Sequence, residues 1–267
     1  MKLNTIAATL ALTLAGSGVA MADSFYNCTP VNFGGDANSC TSSADQYSIN
    51  WKASSFYFDA NSSGILDAGD TVTDTGFGAV SDFLVGGVPG GLGFDREGYG
   101  TSWELWFQYS DLTGQVISAS GSSILAYYFD GTIDVYYNTD ATRDAGTDAK
   151  VLTIDINASG GDIANFLLYG TVTSVADGFF YFTKGDKNWY DLLGEGVTIA
   201  ARIDTNVDTQ VTPTAAACAG TAFPNADFCR SNIQLNGSVE FVPEPASLAL
   251  LGMGLVGLGL ARRRKAA

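Results

Sequence analysis

The chain has 267 residues, among them 32 glycines, 13 Lys and Arg, 28 Asp and Glu, and no histidine. Without imidazole, Ser-His-Asp and Cys-His catalysis and histidine-ligated zinc, iron or copper sites are excluded, and carboxylate chemistry is what remains. Residues 23–242 alone carry 8 basic and 27 acidic residues, a net charge of −19, so nucleic acid and bare anionic lipid are poor partners.

At the start, Lys2 precedes an apolar run from Ile6 to Ala15, followed by Ala20-Met21-Ala22. A positive charge, an apolar core and a small-x-small triplet in that order predict a secretory signal peptide over residues 1–22, cut before Asp23. The four cysteines fit the oxidising compartment that export implies. Cys28 with Cys40 and Cys218 with Cys229 would close two short polar loops, whereas a nested pairing of Cys28 with Cys229 would tie the ends of the domain together. No Cys-x-x-Cys occurs, which argues against thiol redox chemistry.

Between the ends, alternating or aromatic-rich runs are broken by turn residues, and no long segment has helical periodicity. Strands are expected at Tyr47–Phe58, Trp103–Tyr109, Ile124–Phe129, Thr132–Tyr137, Val151–Ile156, Phe166–Val172, Phe179–Thr183, Val197–Ile203 and Ile233–Val242. Asp130-Gly131, between two Tyr-rich runs, reads as a two-residue hairpin turn. The pattern predicts one all-β domain over residues 23–242, an antiparallel β-sandwich or jelly roll. The glycine-rich segment from Phe83 to Gly100 reads as a long loop.

The sharpest local pattern is Asp59-Ala60-Asn61-Ser62-Ser63-Gly64-Ile65-Leu66-Asp67-Ala68-Gly69-Asp70. It lays Asp, Asn and Ser on positions 1, 3 and 5 of the twelve-residue calcium loop, Gly on 6, and Asp on 9 and 12. Asp59, Asn61 and Ser63 would offer side-chain oxygens, Ile65 its carbonyl, Asp67 a direct or water-bridged contact and Asp70 the closing carboxylate. Gly64 would supply the positive φ of the turn. The competing reading is an Asx-rich hairpin whose side chains satisfy local amides. Calcium is the one cofactor expected. A second run, Asp204-Thr205-Asn206-Val207-Asp208, lacks the glycine and reads as a turn.

Asp95, Glu97 and Glu104 lie among Tyr99, Trp103 and Trp106, the raw material of a glycosidase carboxylate pair beside a stacking platform. The simpler reading of Glu104 is a solvent-facing charge next to core aromatics. Tyr127, Tyr128, Tyr136, Tyr137 and Tyr181 could form a carbohydrate-stacking face, or could alternate between core and surface. Asp140, Asp144 and Asp148 read as a solvated turn.

At the C-terminus, Pro243-Glu244-Pro245 is followed by sixteen small and apolar residues, Ala246 to Ala261, and then by Arg262-Arg263-Arg264-Lys265. As a helix the apolar run would span about 24 Å, a short transmembrane helix aided by snorkelling arginines. This arrangement resembles the PEP-CTERM sorting signal of Gram-negative bacteria. The resemblance implies that residues 243–267 hold the chain transiently in the inner membrane until an exosortase processes it, and that the protein travels with exported exopolysaccharide. Leu66 to Gly76, Tyr99 to Leu105 and Tyr109 to Gly114 are further similar to the flocculation-associated PEP-CTERM proteins of sludge-forming bacteria, which implies a surface or matrix role in cell aggregation.

The expectation is therefore a secreted, non-catalytic adhesive or structural protein, cation-assisted, at the cell surface or in the matrix. A calcium-dependent, lectin-like carbohydrate-binding module is the alternative, and a matrix glycosidase a more remote one.

Overall fold

The computed structural model describes residues 22–28, 40–89, 98–140, 142–163, 165–207 and 211–243. The leader expected over 1–22 and the tail expected over 243–267 lie outside these residues except for Ala22 and Pro243, as do Asp95, Glu97 and Asp208. Among the described residues no helix is long and apolar enough to cross a membrane.

The strands are β1 (Phe25–Asn27), β2 (Gln46–Phe58), β3 (Thr71–Val85), β4 (Val88–Pro89), β5 (Glu104–Ser120), β6 (Ser123–Asp130) and β7 (Thr132–Asn138). They continue as β8 (Ala149–Gly161), β9 (Asn165–Val175), β10 (Phe180–Phe182), β11 (Lys187–Asn188), β12 (Ile199–Val207) and β13 (Phe228–Pro243), with one short helix, α1 (Trp189–Gly194). The expected all-β antiparallel architecture is present. A ten-stranded sheet runs β4-β3-β2-β13-β12-β9-β8-β7-β5-β6, and β3 also pairs with β5. That last pairing joins the two sides of the sandwich, so β3, β2, β13, β12, β9, β8, β7 and β5 form a ring around one core.

Period-two alternation decides what fills the ring. On β2, Tyr47, Ile49, Trp51, Ala53, Ser55 and Tyr57 are buried, while Asn50 and Lys52 face solvent. One end of the ring is plugged by aromatic side chains. The small sheet β1-β10-β11 and α1 bring Phe25, Phe180, Phe182 and Trp189 onto Phe241, with Trp189 ring centroids 4.9 Å from Phe241 and 4.7 Å from Phe182. Pairs of this kind add to area burial about 0.5–1.5 kcal/mol each.

Three details differ from the sequence expectation. Strand β3 continues to Val85, well past Thr71-Val72-Thr73 and into the segment read as loop. It contains Gly76 and Gly78, which depress strand propensity but face large neighbours: a Cβ on Gly78 would come 2.5 Å from the Asn50 carbonyl oxygen and 2.8 Å from the Phe107 ring. Strand β5 is likewise far longer than Trp103–Tyr109. The Asp130-Gly131 step is not a hairpin turn, because β6 and β7 both pair with β5 and so continue one another in the same direction. Gly131, at φ +140°, makes the kink between them, where a side chain would press within 2.6 Å of Leu112 Cα. The hairpin turn sits instead at Gly121-Ser122, closed by the Ser120–Ser123 pair.

Cys28 is bonded to Cys40 and Cys218 to Cys229, the local pairing rather than the nested one. The second bridge ties the short 3-10 turn Ala215–Cys218 to the start of β13 and sits in a separate small cluster with Phe56 and Ala226. Replacing both of these cysteines by alanine is expected to lower stability by about 2–4 kcal/mol, chiefly by freeing the unfolded loop. Urea unfolding with an unchanged midpoint would show that the cluster holds this corner without the bridge.

Candidate functional site

The Asp59–Asp70 segment links β2 to β3, so strands flank it, not helices. Gly64 takes φ +78°, as the loop pattern requires. The Asp59 carboxylate accepts from the amides of Ser63 (3.1 Å) and Gly64 (2.7 Å), and these amides, Gly64 foremost, hold its pKa below the usual range. Asn61 Oδ1 accepts from Ser63 N at 2.8 Å, and Asn61 Nδ2 donates to Asp67 Oδ1 at 2.9 Å. Ser63 Oγ donates to the Ile65 carbonyl at 2.9 Å. Asp70, wholly buried, accepts from Ala60 N (3.0 Å) and Asp67 N (2.9 Å). All six candidate ligands thus belong to one loop, and the loop closes on its own amides. Among the described residues no three acidic or thiol side chains converge as a metal-binding group does.

Among the described residues, the other candidate carboxylates are engaged elsewhere. Glu104 forms a bidentate pair with Arg143, at 2.7 Å to Nε and 2.6 Å to Nη2. Asp148 accepts from the Trp106 indole at 2.7 Å and from Asp144 N at 3.2 Å, while Asp140 caps Thr142 N at 2.6 Å. These bonds stitch the β7–β8 connection onto β5. Asp204, read from sequence as part of a turn, lies within β12 beside Arg202.

The tyrosines do not form one stacking face. Tyr128 and Tyr137 are core residues, Tyr136 stacks on Trp106 at 4.5 Å, and Tyr181 stacks on Tyr26 at 5.2 Å within the small sheet β1-β10-β11. Only Tyr127 stands out to solvent, 6.3 Å from the exposed ring of Phe129.

A polar group that sequence reading did not single out lies at the end of the ring opposite the aromatic plug. Inward alternation on β3 places Asp74 between Val72 and Val80, and β2 brings Ser55 and Tyr57 to the same end. Tyr128 of β6 donates to Asp74 Oδ2 at 2.7 Å. Arg230, just before the bulge in β13, donates from Nε to Ser55 Oγ at 3.3 Å and lies over the Tyr57 ring at 5.7 Å. Asp74 Oδ1 and the Tyr57 hydroxyl are buried without a protein hydrogen-bond partner. Burial pushes the Asp74 carboxyl up to about 6, against the opposing pull of the Tyr128 hydrogen bond, the Arg230 charge and Ser55. The signal available in the sequence was Asp74 sharing its alternation with Val72 and Val80.

The last strand bears on how the chain is handled. Phe241, Val242 and Pro243 pair with Ala201, Ala200 and Ile199, so β13 runs directly into the Pro-Glu-Pro sequence with no intervening linker. Residues 241–265 match the model of the PEP-CTERM protein-sorting motif. The chain is a PEP-CTERM sorting domain-containing protein. The motif implies export, recognition by an exosortase, and processing through a membrane-anchored stage toward the cell surface. No curated protein and no solved structure matches the chain.

Proposed function

We propose that this PEP-CTERM protein is a non-catalytic component of the cell surface or extracellular matrix that supports cell aggregation together with exopolysaccharide. The observation that carries the reading is a sorting motif joined without a linker to a disulfide-bonded, strongly acidic β body. A body with a net charge of −19 over residues 23–242 repels its copies and anionic polymers. Divalent cations relieve that repulsion, and the Asp59–Asp70 loop takes up calcium through lone pairs left over on Asp59, Asn61 and Asp67, since each carboxylate oxygen accepts more than one hydrogen bond or cation. The engagement of Glu104 by Arg143 supports a structural rather than a hydrolytic role. The exposed pair Tyr127 and Phe129 favours, as a second reading, calcium-dependent carbohydrate binding.

Deleting residues 243–267 in an exosortase-bearing host tests the first reading. The expected result is that the truncated protein leaves the cell unattached and aggregation falls. Aggregation that persists undiminished overturns the role in adhesion. In parallel, calcium titrated into the purified protein is expected to raise its melting temperature, and Asp59→Ala to abolish the rise; no response in either form removes the loop from the mechanism.

A further inference from the structure

We infer that the end of the ring opposite the aromatic plug is a binding site for one neutral, hydroxyl-bearing ring of about monosaccharide size. The inference stands apart from the matrix role, because it rests on the interior of the barrel and not on the sorting tail or the calcium loop.

An eight-stranded ring has an interior that side chains just fill, or that holds one small ligand. Here the middle of the interior is wholly apolar, lined by residues such as Ile49, Val135, Ile154 and Val239. The end beyond Trp51 and Tyr109 is different. It is a recess with about 80 Å³ open to the centres of water molecules, walled by Trp51, Tyr109, Tyr128 and Phe166, with Asp74 and Arg230 facing into it. One water occupies roughly 10–15 Å³ by that measure, so the space suits several waters or one small ring. Strand β6 forms its outer wall and is fixed to β8 by the bond from Tyr128 N to Ser159 Oγ, 2.7 Å.

Charge and hydrogen-bond capacity select the ligand. Arg230 opposes a cation, whereas Asp74, with Asp162 at the rim, opposes an anion. Asp74 and Arg230 share the recess yet form no ion pair with each other among the described residues. Two buried groups on its wall need partners of opposite kind: Asp74 Oδ1 accepts, and the Trp51 indole Nε1 donates. Hydroxyls satisfy both, because each donates and accepts, and several on one ring can reach Asp74 and Arg230 together. The aromatic walls offer flat apolar surface to the C–H face of such a ring. Large apolar ligands leave Asp74 Oδ1 unsatisfied, which costs affinity.

The test is titration of the full-length protein in mild detergent with glucose, galactose, mannose and N-acetylglucosamine, with glucuronate and glucosamine as charged controls. Binding is read by tryptophan fluorescence, Trp51 lining the recess, and by saturation-transfer NMR. At least one neutral sugar is expected to bind saturably, and Asp74→Asn to weaken it about 10- to 100-fold. Ala126→Phe, which fills the recess from the inward face of β6 and leaves the polar group intact, is expected to abolish it, with folding of both variants verified by their melting curves. The inference is overturned if no neutral sugar binds up to roughly 50 mM, if binding survives both substitutions, or if a charged control binds as tightly as its neutral parent.

Discussion

Gly237→Ala is expected to destabilise the protein by about 3 kcal/mol or more. Gly237 lies in the middle of β13 with Thr205 of β12 on one side and Ile49 of β2 on the other. A Cβ added there overlaps the Asp204 carbonyl oxygen and comes 3.2 Å from Thr205 Cα. Both are backbone atoms of a strand hydrogen-bonded on two sides, so rotating a side chain cannot relieve the overlap, and β12 and β13 must part. For a domain of this size the change corresponds to a fall in melting temperature of about 10 °C. Thermal unfolding followed by circular dichroism measures it. A variant melting within a degree or two of the parent means that the strands are not in this register. Gly64→Ala is the useful contrast, since nothing lies within 4 Å of its added Cβ and only the positive φ opposes it; it should cost about 1 kcal/mol.

Asp74→Asn is expected to stabilise the protein above pH 7 and to leave it nearly unchanged below pH 4. In the folded chain the Asp74 carboxyl is raised from 3.8 to about 6. Between those values the folded state holds a proton that the unfolded state has released. Stability from this group is therefore greatest in acid, falls as pH rises through that window, and levels off above it. The full fall is of the order of 3 kcal/mol. Asparagine preserves the shape and can still accept from Tyr128, but it never ionises. Urea unfolding of parent and variant at intervals from pH 4 to 8 should show curves that meet in acid and diverge by about 1–3 kcal/mol at neutral pH. Using the difference between them cancels the contributions of the many other carboxylates. A constant separation across the range would sink the claim that Asp74 is ionised at a cost in the folded state. The same variant keeps the sugar test clean, since it is expected to fold at least as well as the parent.

Much of the architecture was legible because burial on one side of a strand leaves a period-two record. Tyr47 to Phe58 and Ile233 to Val242 alternate clearly, and the structure places them in β2 and β13. Short spacing left the local cysteine pairing beside a nested one, between which the structure decided, while the positive φ of Gly64 followed from its place in the loop pattern. Strand β3 was harder to see because Gly76 and Gly78 look like turn residues when read locally. Their reason lies on the two neighbouring strands, in the bulk of their register partners Tyr109 and Phe107 on β5 and Trp51 on β2. Asp130-Gly131 misled for a related cause: a two-residue turn and a kink in a continuing strand use the same residues, and only the shared partner β5 separates them.

The sequence by itself determined the class of this protein: an address at its C-terminus, an acidic antiparallel β body, cysteines suited to an oxidising compartment, and no imidazole chemistry. These are properties of composition, spacing and alternation, which are local along the chain. Only the tertiary structure decided that β3 meets β5, that one end of the ring is plugged by aromatic rings, and that Asp74, Ser55, Tyr57, Tyr128 and Arg230 meet at the other. The physical reason is separation: those five residues come from four strands spread over most of the chain, and ring closure alone takes them out of water into one small space, where an unpaired oxygen becomes costly and a ligand's hydroxyl worth having.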